Sequence, residues 1–295
     1  MRSGVVAVFA LLLTAGVAQA HEPADAATWT FDPWVTLPLL AAAVLYGAGS
    51  FRLWQRARVV RTRRVWRSLS YVAGWLSLAA ALVSPLHVLG EQVFTAHMIE
   101  HEVVMTIAAP LLVLARPGGT FLWAFPAGIR HRLGRLVRAG VVRRGWNAAT
   151  QPLTATLLHG VAIWIWHVPR FFDAVVTITL AHRLQHLSFL VTAVLFWWAM
   201  AWRAAPAVAA ADVFMTMIHT ALLGALMTFA PIVLYGVQTT HSTRWGLTPL
   251  EDQQLAGLVM WVPIGTIYAA AAVVFFARWV TGSGRSWKVD DALAP

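Results

Sequence analysis

Apolar residues along the chain gather into seven long runs, at about 34–51, 69–89, 94–115, 153–168, 181–202, 213–235 and 255–279. Short polar stretches separate them. A membrane-spanning helix needs ~20 predominantly apolar residues. Runs of this length and number predict an all-α membrane protein, a seven-helix transmembrane bundle over residues 34–281 with a tail over 282–295. An earlier and shorter apolar run, residues 5–13, follows Arg2 and precedes Ala18-Gln19-Ala20. A basic start, a brief apolar core and an A-x-A site describe a cleavable secretory signal peptide over 1–20. Residues 21–33 then form an N-terminal segment on the outer side of the membrane.

Charge fixes the expected orientation. Of the 22 basic residues, 21 are Arg and one is Lys288. Seven Arg lie at 52–67 and seven at 116–144; Arg203, Arg278, Arg285 and Lys288 fall on the same side of the seven-span arrangement. Only Arg170, Arg183 and Arg244 fall on the other side. Basic residues mark the cytoplasmic loops, so the N-terminus is expected outside and the C-terminus in the cytoplasm. The net charge of +10 is therefore topogenic, with anionic lipid rather than nucleic acid as its partner. Residues 126–140 read as a basic amphipathic helix lying on the cytoplasmic surface.

Composition narrows the chemistry. Hydrophobic residues make up 59% of the 295 and charged residues 12%, against about a quarter charged in soluble domains; a soluble enzyme with an ordinary polar surface is excluded. There is no cysteine, which removes disulfides, thiolate metal sites, iron–sulfur ligation and Cys nucleophiles. Eleven His and eight Met remain as metal donors.

The histidines are paired. His97 and His101 are four apart, as are His182 and His186, so each pair shares a helix face; Met105 continues the first stripe and Met98 lies beside it. Glu100 and Gln185 hold equivalent positions beside their pairs. Imidazole is a common ligand of copper and zinc, and thioether sulfur favours Cu(I). Facing pairs provide four nitrogens, with Glu100 and Gln185 placed to orient ring N–H groups. The bland alternative is hydrogen bonding between helices, but ionisable residues within spans are functional by default.

His87 and His167, at span ends on the same outer side, are either additional ligands or boundary residues. The last span opens on Glu251-Asp252-Gln253-Gln254, which puts Asp252 among the polar groups at that mouth. His159 and His219 lie deeper, as interhelical hydrogen-bonding groups or a second site, and His131 reads as solvated. His97-x-x-Glu100-His101 also fits the H-x-x-E-H pattern of inverted zinc peptidases. The second copy carries Gln185, which cannot act as a base, and that favours binding over hydrolysis.

Several segments in order carry a resemblance: His97-Met98 through His101; Ala109-Pro110-Leu111-Leu112 with Arg116-Pro117; Trp166-His167-Val168-Pro169; His182 to His186; and Asp252-Gln253-Gln254-Leu255-Ala256-Gly257 with Met260-Trp261-Val262-Pro263. Over about residues 30–280 the chain resembles the polytopic CtaG family of bacterial cytochrome c oxidase assembly factors, the branch linked to caa-type oxidases. The acidic pair Glu100 and Glu102 departs from the mostly apolar stretch of that family. The resemblance implies a non-enzymatic role in maturing a haem–copper oxidase in the bacterial inner membrane. Copper would arrive from a periplasmic donor and pass to an oxidase subunit. The competing readings are a seven-span zinc hydrolase with Glu100 or Asp252 as base, and a haem-binding membrane protein with axial His from two helices.

Overall fold

A computed structural model describes residues 28–56 and 61–291, and among these there are helices and no strands. The expected leader over 1–20 lies outside the described residues. Proline sets most helix starts, because its missing N–H costs nothing at the first helical position and its φ is already helical. It opens α1 (Pro33–Arg56), α3 (Pro85–Gly90), α6 (Pro117–Trp123), α9 (Pro152–Trp166), α10 (Pro169–Thr177), α12 (Pro206–Thr228) and α13 (Pro249–Asp291). Between these run α2 (Arg61–Leu82), α4 (Phe94–Glu102), a π-helical turn (Val103–Ala108), α5 (Ala109–Ala115), α7 (Ala127–Val137), α8 (Gly140–Ala149) and α11 (Thr179–Trp202).

Among the described residues five helical stretches are long and apolar enough to cross a membrane: Pro33–Gln55, Phe94–Ala115, Thr179–Trp202, Pro206–Thr228 and Pro249–Gly282. Pro152–Trp166 is apolar but shorter, and α2 begins in the Arg-rich stretch 61–67. Three expected boundaries move. The run 69–89 does not continue as one helix: α2 stops at Leu82, and Ser84 caps a new short helix by accepting the Leu86 N–H at 3.2 Å. The run 213–235 stops at Thr228, where Pro231 lies just ahead, and residues 229–248 form a folded loop containing a 3₁₀ turn, Ser242–Trp245. The expected single basic amphipathic helix at 126–140 is two helices, α7 and α8.

Polarity is inverted relative to a water-soluble protein. Leu37, Val44, Leu69, Leu153, Leu187, Leu226 and Val273 are exposed, whereas Glu100, Gln185, Asp252 and Gln253 are fully buried. Exposed apolar surface of this extent is stable only against lipid, and each buried polar group in such a bundle either joins helices or belongs to a functional site. The principal apolar cluster joins Phe94, Met105, Ile163, Phe189, Phe196, Val213, Met260 and Tyr268, drawn from six of the helical stretches. A smaller one, around Leu39, Leu78 and Val104, packs α1 and α2 onto the π-helical turn.

That turn has a local cause. The Ala109 N–H bonds to the Val104 carbonyl, one residue further back than in an α-helix. Pro110 has no N–H to offer, so the Met105 carbonyl loses its intrahelical partner. Trp197 of α11 takes it instead, donating Nε1 at 2.9 Å. A side chain of one span thus repairs the backbone of another.

The α12–α13 pair is the most extensive helix contact, and glycine permits it. A Cβ on Gly257 would stand 2.6 Å from the Gly224 carbonyl oxygen and 2.7 Å from the Thr228 N. We expect Gly257→Ala to lower stability by about 1–3 kcal/mol through forced backbone separation. Gly265→Ala, on the same helix with open space around it, should be neutral or slightly stabilising. Thermal unfolding in detergent distinguishes the two.

Candidate metal centre

The site is built from helix ends that meet at one end of the bundle. Helix α4 brings His97, Glu100 and His101; α11 brings His182, Gln185 and His186; α3 brings His87; and His167 is the residue that terminates α9. The i, i+4 spacing works as its geometry requires: the imidazole centroids of His97 and His101 are 4.2 Å apart and those of His182 and His186 are 4.6 Å apart. The two pairs face each other, with His97 5.6 Å from His182 and His101 5.0 Å from His186.

His87 joins them from an element that the apolar pattern had merged into a span. Its ring stacks on His182 at 5.3 Å, and its Nδ1 lies 2.7 Å from Glu100 Oε1. The same carboxylate oxygen is 3.4 Å from His186 Nε2, and the Nε2 atoms of His182 and His186 are 2.8 Å apart. Glu100 thus gathers the histidines around one buried carboxylate. Gly90 makes room for it, since a Cβ there would stand 3.0 Å from Glu100 Oε2. Gln238 holds that turn by donating to the Gly90 carbonyl at 2.8 Å.

Among the described residues one group of three has donor atoms all within 4.8 Å of one another, a spacing that suits a metal ion: His87, His182 and His186. These three are partly exposed, while His97, His101 and His167 are buried. Phe172 and Phe189 wall the buried side; Phe172 lies 5.3 Å from His97 and 6.2 Å from His167, and Phe189 lies 4.8 Å from His101 and 6.3 Å from His167. The His167 Nδ1 bonds to the Ile163 carbonyl at 2.7 Å, which leaves Nε2 as the nitrogen with a free lone pair.

Unsatisfied polar atoms concentrate here. Thirteen buried side-chain N and O atoms among the described residues lack a hydrogen-bond partner, and nine belong to this cluster: both ring nitrogens of His97 and of His101, Glu100 Oε2, His167 Nε2, both amide atoms of Gln185, and His186 Nδ1. Each such atom costs about 1–3 kcal/mol. Imidazole lone pairs left this way suit a metal ion, which repays the cost.

The remaining expected site residues fall elsewhere. Met98 and Met105 are packed in the principal apolar cluster, and the π-helical turn takes Met105 out of the α-helical register of the His97–His101 stripe. Asp252 is buried but does not reach the histidines. Its Oδ2 accepts from the Phe94 N–H at 2.8 Å and the Ser242 hydroxyl at 2.6 Å; its Oδ1 accepts from the Thr95 N–H at 2.9 Å and the Thr95 hydroxyl at 2.7 Å. It caps the histidine-bearing helix from another span, where a negative charge also favours the helix dipole. Gln253 likewise is structural, accepting from the Leu234 N–H at 2.6 Å and donating to the Ile232 carbonyl at 3.1 Å.

His159 and His219 hydrogen-bond between helices. His159 Nδ1 is 3.1 Å from the Thr192 hydroxyl and its Nε2 3.5 Å from the Tyr268 hydroxyl; Trp164 Nε1 donates to His219 Nδ1 at 3.3 Å. His131 is exposed. Sequence reasoning missed Tyr235, whose hydroxyl donates to the His167 carbonyl at 2.6 Å. It also missed Ser242, Thr95 and Gly90, none of which belongs to a local motif.

A family profile described as cytochrome c oxidase caa3 assembly factor (Caa3_CtaG) matches residues 44–282. The chain belongs to the CtaG family. The match covers every described histidine of the cluster. Curated relatives include uncharacterized proteins of Mycobacterium tuberculosis and Mycobacterium bovis, each 26% identical over 280 residues, and one of Mycobacterium leprae at 24% over 280 residues. The alignments cover 90% of this chain and 41% of each relative, so the chain spans about two-fifths of their length. No solved structure matches.

Asp252 offers the direct test of how this CtaG protein holds the centre. Asp252→Ala orphans two backbone N–H groups at a buried helix start, and we expect a loss of about 1–3 kcal/mol for each. Ser242→Ala removes one hydrogen bond and should cost about 1 kcal/mol. Thermal midpoints in detergent check both.

Proposed function

We propose that this CtaG protein is a non-enzymatic assembly factor that receives copper on its histidine cluster and passes it to a subunit of a haem–copper oxidase. The observation that carries the reading is the convergence of six histidines, with nine unpartnered buried polar atoms, in a chain of this family. Here the metal is cargo. Imidazole holds copper in either oxidation state, and with no cysteine in the chain release proceeds by exchange of imidazole for the acceptor's ligands. Glu100 supplies the negative charge that offsets the cation.

In this reading seven helices, one from each apolar run with its boundaries as the structure draws them, cross the membrane, the leader over 1–20 is removed, the N-terminus is periplasmic and the C-terminus cytoplasmic. The protein sits in the bacterial inner membrane with the cluster facing the periplasm. The arginine distribution supports that orientation, and anionic lipid is the partner this reading gives the basic helices α7 and α8. A periplasmic copper donor loads the site.

Metal analysis and an absorption spectrum of detergent-purified protein test the proposal. Wild type should retain copper, and His182→Ala/His186→Ala should weaken its binding by at least about tenfold, the least that loss of even a group supporting a ligand costs. Wild type that binds no copper overturns the reading. Zinc in its place, with a hydrolysis abolished by Glu100→Gln, favours the hydrolase; a Soret band favours haem.

A further inference from the structure

Helices α2 and α5 pack closely at one point and leave a furrow beside it. A Cβ on Gly74 would stand 3.0 Å from the Leu111 Cβ and 3.0 Å from the Leu112 N, so a side chain there would push against the backbone of α5. One turn nearer the start of α2, the Ser70 hydroxyl donates to the Leu111 carbonyl at 2.6 Å. Ser70 and Ala73 are too small to fill the space next to this contact. An apolar furrow of about 440 Å³ remains, walled by Leu111 and Leu114 on the α5 side, with Trp66 and Arg67 at the end where α2 begins. From Arg67 to Ala73 it follows the helix for about 9 Å, at 1.5 Å per residue.

An apolar furrow on a surface that faces the bilayer fits an acyl chain, and the charge at its end selects the lipid. Residues 33–90 hold seven Arg and no Asp or Glu. Arg63 and Arg67 are four apart on α2 and share a face, where like charges repel. Both are exposed, and among the described residues neither is in an ion pair. The Tyr46 hydroxyl donates to the Arg67 carbonyl at 3.4 Å, which seats this turn of α2 against α1. Guanidinium matches a phosphodiester through paired N–H donors, and an exposed indole such as that of Trp66 settles at the level of lipid headgroups.

We propose that the furrow is a binding site for one anionic phospholipid, its phosphodiester held by Arg63 and Arg67 and an acyl chain laid along Ser70, Ala73, Leu111 and Leu114. The site shares no residue with the histidine cluster and does not depend on how that cluster is read. It differs from diffuse attraction of lipid to α7 and α8, because it joins a fixed pair of charges to a shaped apolar seat. A lipid held there touches α2 and α5 at once and braces the part of the span that follows the π-helical turn.

Native mass spectrometry of the full-length protein in detergent, titrated with phosphatidylglycerol or with phosphatidylcholine of the same chains, tests the proposal. We expect wild type to bind one phosphatidylglycerol at least about fivefold more tightly than phosphatidylcholine, the factor that one arginine near the membrane surface supplies. Arg67→Gln should remove about fivefold of that preference and leave phosphatidylcholine binding unchanged. Ala73→Phe fills the furrow and should weaken both lipids alike. Arg132→Gln, at an exposed position of α7, should keep the preference of wild type. Without added lipid, Arg67→Gln should unfold at the same thermal midpoint as wild type; phosphatidylglycerol should raise the midpoint of wild type more than that of the variant. Equal binding of the two lipids by wild type overturns the site, as does a preference that survives Arg67→Gln or that Arg67→Gln and Arg132→Gln reduce alike.

Discussion

The helix that carries His97, Glu100 and His101 starts at a buried point where its first N–H groups have no intrahelical partner, and the carboxylate of Asp252 supplies the acceptor from the far end of the chain. Four hydrogen bonds converge on it, two from backbone N–H groups of α4, one from Thr95 and one from Ser242. Through them α13, the loop 229–248 and α4 become one unit. The position of Glu100, and with it the gathering of His87 and His186, follows from where α4 begins. Helix α13 is itself started by a reciprocal cap, with Thr248 and Glu251 bonding each other's backbone N–H groups, so one secured helix start secures the next.

Much of the site could be read from spacing alone, because the i, i+4 rule is local: His97 with His101 and His182 with His186 face as their numbering demands. What resisted reading was everything decided across the bundle. Hydropathy averaged over the break at Ser84, so His87 looked like the end of a span although Ser84-Pro85 is a helix-start signal. Asp252 was placed near the histidines because it is polar at the same mouth; only three-dimensional contact reveals that its oxygens are consumed by backbone N–H groups. Met105 was assigned to the histidine face on an α-helical count, which the π-helical turn invalidates. The helical class and the apolar stretches were plain from composition, while the loop after Thr228 was hidden because its residues are as apolar as those of the helix before it.

Arg183 shows how the rim is tied to the rest. It donates to both oxygens of Asp32, at 2.9 and 3.1 Å, and Asp32 also accepts the Trp34 N–H at the start of α1. One bidentate pair therefore joins the first helix to the helix of His182 and His186. The smaller apolar cluster around Leu39 and Leu78 gives the same helix its packing partner.

The π-helical turn carries an implication for how this family can vary. It holds one residue more than an α-helical turn, so it is a phase slip in the middle of a span. Upstream, the phase is set by the cap on Phe94 and Thr95; downstream, it is set by Pro110 and the packing of Val113 and Ala115. The two halves of the span are geared separately, and a change of length in residues 103–108 would rotate one half while the other kept its seat.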